Sequence, residues 1–174
     1  MVKKFALGIL FIFALILLMA AMKPNTFSIT RSVTIAAPPE KIAPLITDFH
    51  QWRTWSPWEN LDPAMQRTFS GAPAGKGAVY AWTGNKEVGR GRMEILDAAP
   101  ARTAIKLDFI EPFASSNVTE FALAPAAAGT TVTWTMSGPM LFISKLMSVF
   151  VSMDAMIGKD FDKGLAQLKA AAEK

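Results

Sequence analysis

The chain has no cysteine, one histidine and one tyrosine in 174 residues. Without cysteine there is no disulfide, thiolate zinc site, iron–sulfur cluster or cysteine nucleophile, and no thiol for lipoprotein anchoring. A lone His50 leaves little for a metal centre, and no cofactor motif is found, so neither metal nor cofactor is expected. A Ser-His-Asp triad would have to use His50 with Ser56 or another serine, yet no nucleophile-elbow glycine motif accompanies them. His50 therefore reads as a partly exposed residue at a helix end. Excess charge is also lacking. Lys and Arg number 18 against 14 acids, a net +4; setting aside Lys3 and Lys4 leaves only +2 over the rest, which is no nucleic-acid surface. The hydrophobic content of 51% excludes a disordered chain.

What the chain does have is a long apolar run. Phe5 to Met22 is uncharged for 18 residues, preceded by Lys3 and Lys4 and followed by Lys23-Pro24. As helix, at about 1.5 Å per residue, it approaches the ~30 Å of a hydrocarbon core. A cleaved signal would have a shorter apolar region and a better Ala-x-Ala site than Met19-Ala20-Ala21-Met22, so of the two alternatives for residues 1–24, membrane anchor or signal segment, the retained anchor is preferred. Lys3 and Lys4 place the N-terminus in the cytoplasm and the rest across the membrane, in the periplasm of a bacterium.

Residues 25–174 form one domain, large enough to bury a core and a ligand cavity. Phe27 to Ile35 alternates as a half-buried strand. Pro38-Pro39-Glu40 starts a helix whose Ile42, Leu45, Ile46 and Phe49 make one stripe, with Pro44 disturbing its first turn. After an aromatic-dense loop come strands at Met65–Ser70, Ala78–Thr83, Glu87–Asp97, Thr103–Pro112, Asn117–Leu123 and Thr130–Ser137, about seven in all with the first. From Phe150 through Met153, Ile157, Phe161, Leu165, Leu168 and Ala172 the spacing is helical. The fold class is α+β: a curved antiparallel sheet around a long C-terminal helix, with a hollow between them.

The element order, with ITRSVTIAAPPEKIAPLITDF (Ile29–Phe49), DFHQWRTWSPWENLDP (Asp48–Pro63), VGRGRMEI (Val88–Ile95), TTVTWTMSG (Thr130–Gly138) and IGKDFDKGLAQLK (Ile157–Lys169), resembles the START and birch-pollen-allergen superfamily, SRPBCC. Within it the sequence is similar to the polyketide cyclase/dehydrase and lipid-transport type over residues 26 to 173. The resemblance implies a helix-grip fold whose internal cavity binds lipids or other apolar small molecules; it supplies no catalytic set to transfer.

Strand parity predicts the lining. Tyr80 and Trp82, Met93 and Ile95, Ile105, Leu107 and Phe109, Thr119, Phe121 and Leu123, and Val132, Trp134 and Met136 face the hollow, joined by Phe150, Met153, Ile157 and Phe161 from the last helix. The same side chains fit a filled core. Gly89 and Gly91 share the inner face and serve either sheet curvature or a ligand. Trp52, Trp55 and Trp58 recur every third residue, and the three either gate the hollow or pack at one end of the sheet; Pro57 is expected to end regular structure before Trp58. Glu59, Asp62 and Glu111 are candidates for acid–base work, and Arg31 and Arg67 for binding an anionic head group, or else all five are rim charges. Leu141–Met153 carries Lys145 as its only charge before Asp154. It is too short for a second span and either packs on the sheet or touches lipid.

Three readings follow. The first is a membrane-anchored binding protein for a hydrophobic small molecule or lipid. The second is a cyclase or dehydratase using a cavity carboxylate or Tyr80, and the third is an interaction module with a filled interior. Binding leads, because no catalytic constellation stands out.

Overall fold

A computed structural model describes residues 2–174; Met1 lies outside the described residues. Helix α1 (Val2–Ala21) is followed by β1 (Thr26–Ile35) and α2 (Pro39–Thr47). Two short 3₁₀ turns, Phe49–Thr54 and Pro57–Asn60, fill the aromatic-dense stretch. Then come β2 (Gln66–Gly71), β3 (Ala78–Thr83), β4 (Arg90–Ala99), β5 (Arg102–Glu111), β6 (Ser115–Ala126), β7 (Gly129–Pro139), α3 (Phe142–Met147) and α4 (Met153–Ala172). Pro44 sits inside α2 without breaking it. Pro57 starts the second 3₁₀ turn instead of ending structure, because its fixed φ and missing donor suit a helical first position.

The seven strands form one antiparallel sheet in the order β1-β7-β6-β5-β4-β3-β2. Alternation decides its two faces. On the outer face Thr30, Ser32 and Thr34 of β1 meet Thr135, Thr133 and Thr131 of β7 hydroxyl to hydroxyl at 3.0, 2.9 and 3.2 Å. On the inner face Ile95, Ile105, Phe121, Val132 and Trp134 are buried with Ile42 and Ile46 of α2 and Phe161, Leu165 and Leu168 of α4. Arg92 and Glu94 point outward and pair at 2.8 Å.

Two expected elements shift. The β4 strand starts at Arg90, not Glu87, because Gly84–Gly89 is a loop: the Asn85 side-chain oxygen accepts from the amides of Glu87 and Val88, and Gly89 turns with φ of 62°. The terminal helix starts at Met153, where the Ser152 hydroxyl accepts from the Ala155 amide at 3.1 Å and so satisfies an otherwise free first-turn donor. Phe150 precedes that cap in the turn after α3 and is 71% exposed, so the helical spacing that included it runs past the actual helix start.

Candidate functional site

Between the inner face of the sheet, the 3₁₀ turns and the first half of α4 lies a cavity of about 210 Å³. Strands β3 to β5 supply Tyr80, Trp82, Met93, Leu107 and Phe109; β6 and β7 supply Thr119, Trp134 and Met136; α4 supplies Ile157, Asp160 and Phe161. The 3₁₀ turns add Trp52, Ser56, Trp58 and Glu59, and Met65, Glu87 and Val88 complete the wall. The strand residues are there because every second side chain faces inward.

The rest of the expected lining is elsewhere. Trp55 and Phe121 face inward but lie behind the wall, 1% and 0% exposed, packed edge to face with each other at 6.0 Å. The Trp55 indole donates to the Leu45 carbonyl at 2.8 Å and the Trp52 indole to that of Ile46 at 2.9 Å. These two tryptophans pin the 3₁₀ turn to α2; Trp55 gates nothing. Trp58 reaches the cavity, edge-on to Trp134 at 5.8 Å. Met153 is half-buried against the core without reaching the wall, and Phe150 is at the surface.

The polar part of the wall is organised around Glu59, which is 7% exposed. Its Oε1 accepts from the Tyr80 hydroxyl at 2.7 Å and its Oε2 from Arg67 Nε at 2.7 Å. The other two guanidinium nitrogens of Arg67 donate to the carbonyls of Met65 and Glu59, at 2.7 and 3.2 Å. Burial, reinforced by the hydrogen bond to Glu59, pushes the Tyr80 phenol above its ordinary range, since both disfavour a second negative charge. Thr119 is already engaged: its hydroxyl accepts from the Trp134 indole at 2.6 Å and donates to the Thr135 carbonyl at 3.2 Å. Among the described residues the lining holds three carboxylates, Glu59, Glu87 and Asp160, and no Lys, Arg or His.

The remaining charged candidates lie off the cavity. Asp62 is a loop clamp, accepting from the amides of Ala64 and Asn85 at 2.9 and 2.7 Å. Arg31 joins β1 to α4 through Asp154 at 2.8 Å and Asp162 at 3.2 Å. Glu111 is exposed and pairs with Arg90 at 3.0 Å. His50 is largely exposed, with its Nδ1 2.8 Å from Asp48 and its ring stacked on Phe69 at 4.1 Å. Sequence reasoning did not put Ser56, Met65, Glu87, Val88 or Asp160 on the wall. Asp160 had a signal, lying one helical turn after Ile157, and Glu87 shared the inward parity of Gly89 and Gly91 in the expected strand.

A curved antiparallel sheet closed over a hollow by its C-terminal helix is the helix-grip architecture of the SRPBCC superfamily. Over residues 26–173 the sequence matches the family described as polyketide cyclase / dehydrase and lipid transport, and the chain belongs to that family. Solved structures share its fold at low identity. Protein CV1439 from Chromobacterium violaceum is 18% identical, with a TM-score of 0.58 over 87% of this chain and 99% of that one. Protein MLL2253 from Mesorhizobium loti is 19% identical, with a TM-score of 0.60 over 83% and 96%. The Aha1 dimer from Colwellia psychrerythraea is 20% identical, with a TM-score of 0.60 over 84% and 96%. No curated protein matches the sequence significantly.

Proposed function

We propose that the protein is a membrane-anchored binding protein that takes a hydrophobic small molecule or lipid segment into its internal cavity. The observation that carries this reading is the cavity itself, a hollow walled by Trp58, Trp82, Met93, Leu107, Phe109, Trp134, Met136, Ile157 and Phe161 in place of a filled interior. Aromatic and methionine walls suit an adaptable apolar site. A guest hiding roughly 300 Å² of nonpolar surface gains on the order of 7 kcal/mol before association costs. The anchor is α1, the one helix among the described residues long and apolar enough to cross a membrane. Its flanking Lys3 and Lys4 support a cytoplasmic N-terminus and a domain on the far side.

The test is native mass spectrometry and lipid extraction of the full-length protein from mild detergent, followed by titration with a fluorescent long-chain alcohol. The expected result is one apolar molecule bound per chain and displaced by the alcohol. A protein that carries nothing and takes up no alcohol overturns the reading.

One observation favours a second reading, that of an enzyme. Tyr80 and Glu59 meet at 2.7 Å on an apolar wall, where a proton held between phenol and carboxylate serves general acid–base chemistry on an enclosed substrate. Loss of turnover of a trapped ligand in Tyr80→Phe, with binding retained, would distinguish catalysis from carriage.

A further inference from the structure

The antiparallel register gathers several chain segments at one end of the sheet. Thr26 opposes Pro139, Val118 opposes Ser137, Phe109 opposes Ser115 and Arg90 opposes Glu111. The start of β1, the end of β7 and the β5–β6 turn therefore share one edge, and α1 arrives at that edge through only four residues, Met22 to Asn25.

Helix α3 is fastened there. It packs against α1, whose Ala20 is fully buried. Lys145 Nζ donates to Asn25 Oδ1 at 2.6 Å, and the Met140 amide to the Asn25 carbonyl at 2.7 Å. With Lys145 turned inward, the outer side of this end presents Phe142, Ile143 and Met147, then Phe150 at 71% exposure, and Phe113 of the β5–β6 turn at 62%. Single exposed apolar residues are ordinary on soluble domains; a group of large ones is a contact surface. The cavity opens on the same end. Its liners that keep contact with solvent include Glu87 and Val88 before Arg90, Phe109 at the end of β5, and Ile157 in the first turns of α4.

We propose that this end of the domain is seated in the lipid–water interface of the bilayer that α1 crosses, so that the cavity faces lipid and loads an amphiphile directly from the membrane. The occupant of the patch is the bilayer because α3 lies against α1 itself: whatever surrounds the last turns of α1 also reaches α3. The inference rests on the reading of α1 as a membrane anchor.

The absence of cysteine makes the test direct. Single-cysteine variants Leu10→Cys, Phe113→Cys, Phe142→Cys and Ala128→Cys, the last in the β6–β7 turn at the opposite end, are labelled with an environment-sensitive dye. The full chain is placed in phosphatidylcholine nanodiscs containing nitroxide lipids. The expected result is strong quenching at Leu10, Phe142 and Phe113, and at Ala128 only the level seen without nitroxide. Quenching at Leu10 with Phe142 or Phe113 behaving like Ala128 overturns the seating and leaves the anchor standing. No quenching at Leu10 overturns the anchor and the seating together. A blue-shifted Phe142 label that nitroxide lipids do not quench assigns the patch to a protein partner and also overturns the proposal. A Phe113→Asp, Phe142→Asp double variant, which alters no cavity residue, should slow uptake of a fluorescent lipid from donor vesicles at least tenfold; an unchanged rate refutes loading through this end.

Discussion

Arg67, behind the cavity wall, forms a buried ion pair with the wall residue Glu59, their side chains 12% and 6% exposed, and that burial sets a lopsided response to mutation. In Arg67→Met the Glu59 carboxylate keeps only the Tyr80 hydroxyl and loses its cation. Removing one partner of a buried pair costs about 3–5 kcal/mol, because the survivor stays desolvated without compensation. In Glu59→Leu, Arg67 retains the carbonyls of Met65 and Glu59, which places its cost at about 3 kcal/mol, the low end of that range. The double variant strips both charges but leaves the Tyr80 phenol and the two backbone carbonyls that Arg67 served without partners, each about 1–3 kcal/mol. Adding Tyr80→Phe removes the share of the phenol, so the triple variant should unfold closer to the parent than either the double variant or Arg67→Met. The assay is urea unfolding of the full-length protein in detergent, followed by tryptophan fluorescence. With a slope of about 2 kcal/mol per molar, Arg67→Met lowers the midpoint by roughly 2 M. An Arg67→Met that costs less than about 1 kcal/mol, or a triple variant no more stable than that single one, refutes the assignment of a desolvated pair.

Protonation should act at both ends of the pH scale. The hydrogen bond from Arg31 holds the Asp154 carboxyl below its usual range, and the Ala36 amide does the same for Glu173. Their stabilisation is therefore present above about pH 4 and lost as pH falls through the folded values. The contribution of Asp154 should disappear in Arg31→Met, read from unfolding midpoints between pH 5 and pH 2. Tyr80, the only tyrosine, has its phenol raised by burial and by Glu59. Its contribution is complete below about pH 10 and declines above it as the unfolded chain ionises first; phenolate absorbance should show a late titration that moves earlier in Glu59→Gln. Leu107→Trp, which builds an indole into the cavity, should abolish binding of a fluorescent alcohol while costing about 1–3 kcal/mol of stability, and undiminished binding would disprove that the hollow is the site. With Glu59 neutralised by Arg67 but Glu87 and Asp160 also on the wall and no cation lining it, a long-chain alcohol should bind more tightly than the fatty acid of equal length by about 1 kcal/mol or more at neutral pH, checked by competition. Equal affinity would mean that the head group stays in solvent.

Strand parity was the most legible feature, because a period of two cannot be confused over strands such as Ala78–Thr83 or Thr130–Ser137. It gives a side chain's face but not its depth. Trp134 and Phe121 share a face and stack at 4.9 Å, yet only Trp134 borders the cavity, since what covers Phe121 is Trp52 and Trp55 from a turn far away in sequence. The ion pair was hidden for a similar reason. Glu59, Arg67 and Tyr80 lie on a 3₁₀ turn and two strands, and no local spacing brings them together. Phe150 fitted a helical repeat that the Ser152 cap cuts off, and a repeat alone does not show where a helix begins. The loop at Gly84–Gly89 depends on one asparagine side chain, which is why Glu87 and Val88 read as strand and turned out to border the opening.

The cavity owes its shape to how closely α4 approaches the sheet at different points. At Gly164 a Cβ would stand 2.8 Å from the Trp134 ring and 3.1 Å from Pro57, so the missing side chain lets the helix press onto the sheet there, and Leu165 and Leu168 continue as solid core. One turn earlier Phe161 lies flat on Trp134, their centroids 4.1 Å apart, and no residue of α4 beyond Phe161 borders the hollow. Across the sheet Gly91 plays the matching part: a Cβ on it would run into the Trp82 ring. The room left by that glycine is therefore taken by an indole, which becomes wall and not void. Close approach at Gly164 and the Phe161–Trp134 stack fill the space under the C-terminal half of α4, and the hollow lies under its first turns, at Ile157 and Asp160. A hollow built this way lies toward the start of α4, which is the end where α1 meets the domain.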